Sequence, residues 1–162
     1  MENFDWTSFT KRIVIKSNLT EIYDAWTKPA EIEKWFLKRA NFFDADKTST
    51  AKSAQKGHVY EWKWYLYEDV VKGEVLEANG RDFIQFTFEG PSIVDIKLSE
   101  LHDYVLVELT QKEIPLDDHS RQFVRIGCAS GWAFYLVNLK SVYEGGLDLR
   151  NKDTRLSPMI NN

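Results

Sequence analysis

A single cysteine, Cys128, among 162 residues leaves no partner for an intrachain disulfide and no cysteine cluster for a metal, so a reducing cytoplasm is the expected compartment. The three histidines, His58, His102 and His119, stand at no zinc-ligand spacing from one another or from a carboxylate. Glycine-rich phosphate loops are also missing, because the one Gly-Gly pair, Gly145-Gly146, closes a helical pattern instead of opening one. No metal and no cofactor are therefore expected. No run of about 18 apolar residues occurs, and Met1 to Thr7 joins no basic patch to an apolar stretch, so neither a membrane span nor a secretion signal is expected. Nor does one sign of charge prevail. Twenty-five acidic against 21 basic residues give a net charge of −4, well mixed, with no basic stripe to follow a nucleic-acid backbone.

What the chain has in quantity is aromatic rings, 14% of its residues within a hydrophobic content of 43%, enough for one sizeable core. A single domain over 1–150 and a C-terminal tail over 151–162, loose from Asp153 onward, are expected, with no internal repeat. Phe9 to Lys16 reads as a strand, and Ser17-Asn-Leu-Thr20 as a capping break before a short helix that includes Glu21 to Thr27. Pro29 suits the first turn of a second short helix, Pro29 to Phe36, where a proline loses no needed hydrogen bond. Ala45 to Lys56, polar and without a large apolar residue, is a solvated loop.

From Gly57 to Ile114 apolar residues alternate with polar ones in five runs, His58 to Glu68, Val70 to Ala78, Asp82 to Glu89, Ser92 to Leu101 and Tyr104 to Glu113. Short breaks between them predict an antiparallel meander with one wet face. Tyr60, Trp62 and Trp64, then Phe86 and Phe88, then Val94 and Ile96, then Val105 and Val107 share the inward parity. Ser120 is a reasonable N-cap for a long final helix that ends at Gly145-Gly146. At about 100° per residue, Cys128, Ala129, Trp132, Tyr135, Leu136, Leu139 and Tyr143 face the sheet. Phe123, Phe134 and Val137 fall on the opposite side, where either the early segment or a second copy of the chain would cover them.

The fold class expected from this order is α+β, an antiparallel sheet wrapped around a long C-terminal helix. Several short stretches carry a resemblance: Ala25 to Phe36, Gly57 to Trp62, Gly73 to Ala78, Phe83 to Phe88, and Gly131-Trp132 with Leu136, Leu139 and Glu144-Gly-Gly146. In order and spacing they resemble proteins similar to the activator of the heat-shock-protein-90 ATPase, within the START-like (SRPBCC) or birch-pollen-allergen superfamily of helix-grip proteins. Gly127 to Trp132 and Glu144 to Arg150 look closest to a bacterial START-like subgroup. The loop from Ala45 to Lys56 departs from the arginine- and glycine-rich approach to the third strand typical of the family. The resemblance implies a cavity between sheet and final helix.

Trp35, Phe36, Tyr60, Trp62, Trp64, Phe86, Phe88, Val107, Arg125, Cys128, Gly131, Trp132 and Tyr135 are the candidates for lining it, with Gly73, Ala129 and Gly131 leaving room. Arg125 is placed at the mouth, facing a carboxylate or phosphate head. Cys128 has no base beside it in sequence and reads as a small apolar residue. The inward parity is almost wholly hydrocarbon, which favours holding a hydrophobic small molecule, a lipid or an aromatic metabolite, over transforming it. Two alternatives stay open. One is an interaction or co-chaperone-like module using the outer stripe, including a homodimer through Phe123, Phe134 and Val137. The other is a polyketide-cyclase-like enzyme using Arg125 and a cavity tyrosine.

Overall fold

The computed structural model describes residues 3–162. Strand β1 (Phe9–Ile15) is followed by helices α1 (Leu19–Thr27) and α2 (Pro29–Trp35), and strands β2 (Arg39–Phe43), β3 (Val59–Lys63), β4 (Val71–Ala78), β5 (Phe83–Thr87), β6 (Ile93–Leu101) and β7 (Tyr104–Lys112) complete one sheet. A π-helical stretch, Ser120–Cys128, then runs without a break into α3 (Ala129–Gly145). The sheet order is β1-β7-β6-β5-β4-β3-β2, antiparallel throughout, so the first strand returns to pair with the last. This is the helix-grip architecture, with α3 lying in the concave side of the sheet.

Local chemistry fixes the helix boundaries. Asn18 accepts the amide of Glu21 at 2.9 Å and so caps α1, and Pro29 opens α2. At the far end Gly146 takes a left-handed conformation (φ 70°), its amide donating to Val142 O at 3.0 Å, and α3 stops there. The segment beyond it is a lock. The buried guanidinium of Arg150 donates through Nη1 to Leu37 O and through Nη2 to Glu33 O, both at 2.9 Å, which satisfies carbonyls left free at the end of α2. Asp148 pairs with the same guanidinium at 2.8 Å, and buried Asn138 of α3 donates to Trp35 O at 2.6 Å and to Asp148 at 3.1 Å. Partial burial works against the charged form of Asp148, yet hydrogen bonds from Arg150, Lys152 and Asn138 hold its carboxyl well below the usual carboxylate range.

Four expectations are corrected. The run from His58 to Glu68 stops being a strand at Lys63; residues 64–70 form a loop in which Leu66 adopts φ 67°, so the connection to β4 is no tight hairpin. Arg39–Phe43 adds a strand that pairs with β3 at the sheet edge. Ser120 is not the cap of the last helix: Asp117 is, accepting the Ser120 amide at 3.0 Å and its hydroxyl at 2.7 Å, while His119 is already helical. The tail is not loose. Asn161 donates to Leu149 O at 2.7 Å, its carbonyl accepts the Asn151 amide at 2.6 Å, and Asn162 reaches back to α3.

The inward parity of the meander is buried as its alternation predicts, through Tyr60, Trp62, Phe86, Ile96, Val107 and Leu109 among others. Among the described residues no helix is long and apolar enough to cross a membrane, and no three His, Cys, Asp or Glu side chains are grouped to hold a metal ion.

Candidate binding cavity

Where the final helix passes from π to α winding, Gly127, Cys128 and Gly131 border one opening. A π turn inside a longer helix often marks a functional position. A Cβ built on Gly131 would meet nothing within 4 Å, so the backbone there borders open space. That space is a cavity of about 540 Å³, within the ordinary range for small-molecule sites.

Its inner wall is aromatic and comes from four elements: Phe36 at the end of α2, Trp64 after β3, Phe88 after β5, and Trp132 with Tyr135 on α3. These rings pack on one another at centroid distances of 4.9 Å for Phe36 and Tyr135, 5.1 Å for Phe36 and Trp132, and 5.3 Å for both Phe36 with Trp64 and Phe88 with Trp132. The one polar atom of Trp132 is occupied. Its Nε1 donates to Gln111 Oε1 at 3.0 Å, and Gln111 Nε2 donates to Ser92 Oγ at 2.8 Å. Trp132 therefore offers the cavity carbon and π surface.

The rim comes from Tyr67 and Asp69 of the β3–β4 loop, Glu89 after β5, Phe123 and Phe134 on the last helix, and Met159, Ile160 and Asn162 of the returning tail. Tyr135 Oη donates to Asn162 O at 2.8 Å, which ties tail to cavity wall. Burial raises the Tyr135 phenol above its ordinary range. It also pushes the Cys128 thiol up to about 12, with the Glu89 carboxylate adding to the effect, so Cys128 stands in the cavity as a neutral thiol.

Of the thirteen candidates from sequence, the structure places Phe36, Trp64, Phe88, Cys128, Gly131, Trp132 and Tyr135 on the lining. Trp35, Tyr60, Trp62, Phe86 and Val107 stand behind it as packed core. Trp35 Nε1 donates to Ala25 O at 2.9 Å, Tyr60 Oη to Thr87 O at 2.5 Å, and the Tyr60 and Trp62 rings stack at 3.9 Å. Trp62 Nε1 is buried without an acceptor. Gly73 does not leave room either: the Tyr60 ring and hydroxyl occupy the place where its Cβ would stand.

Arg125 lies away from the cavity. Its Nε donates to Asp5 O at 3.0 Å, and its guanidinium stacks over Phe4 and Phe9 at 4.6 and 5.2 Å, which fastens the segment before β1. Phe134, expected on the outer stripe, is half-buried at the cavity rim against Tyr135, whereas Val137 is half exposed. Of the lining residues unforeseen from sequence, Gly127 was visible as a second glycine four positions before Gly131. Tyr67, Asp69 and the tail residues left no signal, because loop and tail paths have no periodicity.

The family model described as "Activator of Hsp90 ATPase homolog 1-like protein" matches residues 16–144. No curated protein is similar at a significant level. Among solved structures, the chain is similar to the protein SSP2350 from Staphylococcus saprophyticus, at 17% identity and TM-score 0.70 over 88% of this chain and 96% of that one. It is similar to the Aha1 dimer from Colwellia psychrerythraea, at 17% identity and TM-score 0.66 over 86% and 97%. It is also similar to CalU16 from Micromonospora echinospora, at 20% identity and TM-score 0.65 over 88% and 77%. At these identities the likeness is one of fold.

Proposed function

Since the chain belongs to the Activator of Hsp90 ATPase homolog 1-like family, within the START-like superfamily, we propose that it binds a hydrophobic small molecule between its sheet and its last helix. The observation that supports this reading is the 540 Å³ cavity, walled by Trp64, Phe88 and Trp132 and opened by the absent side chain of Gly131. The cavity opens to solvent past the exposed rim residues Tyr67, Met159 and Ile160, so an apolar molecule has a way in to the aromatic wall. Binding without turnover is the form of the proposal. The lining holds no histidine, lysine or arginine, burial raises the pKa of its Cys128 thiol and Tyr135 phenol, and its two carboxylates, Asp69 and Glu89, stand exposed at the rim.

Gly131→Phe provides the test. Its side chain enters open space, so the fold is expected to survive while uptake of apolar compounds is lost, as read by native mass spectrometry of detergent-free protein followed by organic extraction. Unchanged uptake by a folded Gly131→Phe protein would sink the proposal.

A second reading, self-association, rests on the exposure of Phe123, Ile126 and Val137 along one side of the last helix, at 56%, 53% and 50%. The Colwellia relative is described as a dimer. A protein that sediments as a monomer at every concentration would remove this reading.

A further inference from the structure

Asp69 and Glu89 are the only charged side chains on the cavity lining, and among the described residues neither has an ion-pair or hydrogen-bond partner. Several other surface carboxylates of the molecule are neutralised by a neighbouring lysine. Glu61 lies between Lys47 and Lys72, Glu77 meets Lys56, Asp95 meets Lys112 and Glu144 meets Lys140. The rim of the cavity thus holds two unneutralised negative charges, and no cation of the lining answers them.

The wall adds aromatic surface from Trp64, Phe88 and Trp132, and a ring quadrupole, negative over its face, attracts a cation that approaches that face. The indole N–H of Trp132, a donor that could have received a carboxylate, is already spent on Gln111. The field of Glu89 reaches inward, since it helps to keep the Cys128 thiol protonated. A carboxylated amphiphile would therefore bring its charge to a site with nothing to receive it, whereas an amine would find two acceptors and an aromatic bed.

We propose that the cavity selects an apolar molecule bearing a cationic amine, its hydrocarbon body against Trp64, Phe88 and Trp132 and its ammonium group at Asp69 and Glu89. This rests on the binding reading above. Three probes of one shape separate the two claims: 1-pyrenemethylamine, 1-pyrenemethanol and 1-pyrenecarboxylic acid, titrated at neutral pH with quenching of the tryptophan emission as the readout. The amine is expected to bind about tenfold more tightly than the alcohol, and the acid more weakly than either, the sum of partly exposed charge pairs and a cation–π contact. In the Asp69→Asn, Glu89→Gln double variant, whose two sites are exposed, the preference for amine over alcohol should vanish. Added salt should weaken only the amine in the parent protein.

Equal binding of amine and acid, or an amine preference that outlives the double substitution, would overturn the charge selectivity and leave cavity binding intact. Failure of all three probes to bind folded protein, or binding that persists in Gly131→Phe, would overturn the cavity reading together with it.

Discussion

The buried guanidinium of Arg150 shows how much one side chain after the last helix can hold. It closes the end of α2, pairs with Asp148 and lies 5.3 Å over the Tyr65 ring. Removing one member of a fully buried pair costs about 3–5 kcal/mol, and because the Asp148 side chain keeps 23% of its exposure the Asp148→Asn cost should be nearer ~2 kcal/mol at neutral pH. The carboxyl of Asp148 titrates lower in the folded chain than in the unfolded one, so its contribution is complete above the unfolded carboxylate range and is lost as pH falls toward the folded value. Urea unfolding of parent and Asp148→Asn proteins should thus differ fully above about pH 5 and converge steadily below about pH 4. A gap unchanged with pH would show that the charge of Asp148 is not what matters. Neither this lock nor the displacement of Arg125 toward Phe4 was legible in the sequence. Periodicity places a residue on a face, but a long flexible cation reaches whichever carbonyl or ring the tertiary fold brings near.

Among the elements, the strands were the most legible. In β5, β6 and β7 the apolar positions of one parity are buried in succession, with Gln111 the polar exception, because a half-wet antiparallel strand must segregate its two faces. β2 escaped notice because Arg39-Ala-Asn-Phe-Phe43 is short and offers only Ala40 and Phe42 to the inside. The early end of β3 at Lys63 was hidden by Trp64-Tyr-Leu-Tyr67, which keeps strand-like composition while the backbone turns at Leu66. The π winding of Ser120–Cys128 was hidden too, since an apolar stripe read at helical spacing does not report which carbonyl each amide bonds. The stop of α3, by contrast, was written in its two glycines. Gly146→Ala forces a Cβ into the left-handed region and should cost about 1–2 kcal/mol. A melting temperature lower by roughly 2–4 °C for each of those kcal/mol is expected, and no change would mean that the chain leaves the helix by another route.

Across the whole molecule, the cavity exists because three separate parts of the chain close around a gap that the helix leaves. The sheet supplies the floor, the glycines of the last helix supply the space, and residues 157–162 cover part of the mouth. Seven of the lining residues were foreseeable from face and parity, while the mouth required knowing how loop and tail return. The tail is held by few contacts, chiefly those of Asn161 with Leu149 and Asn151. Asn161→Ala removes the side-chain bond to Leu149 and should loosen the tail, and with it the Met159, Ile160 and Asn162 part of the rim, which hydrogen exchange will report as faster labelling of the Asn151 amide with α3 unaffected. Protection equal to the parent's would mean that Tyr135 and Asn162 suffice to hold it. A different consequence follows from the aromatic core around the cavity. Five of the six tryptophans, Trp26, Trp35, Trp62, Trp64 and Trp132, belong to one connected stack of rings, with Trp26 and Trp35 at 4.7 Å, Trp26 and Trp132 at 6.0 Å, Trp62 and Trp64 at 6.4 Å, and Phe36 joining the two groups at 5.1 Å from Trp132 and 5.6 Å from Trp62. Their electronic transitions are coupled, so the near-ultraviolet circular dichroism of this protein is a property of the assembled stack, a collective optical signature that vanishes when packing loosens even if every helix and strand is retained.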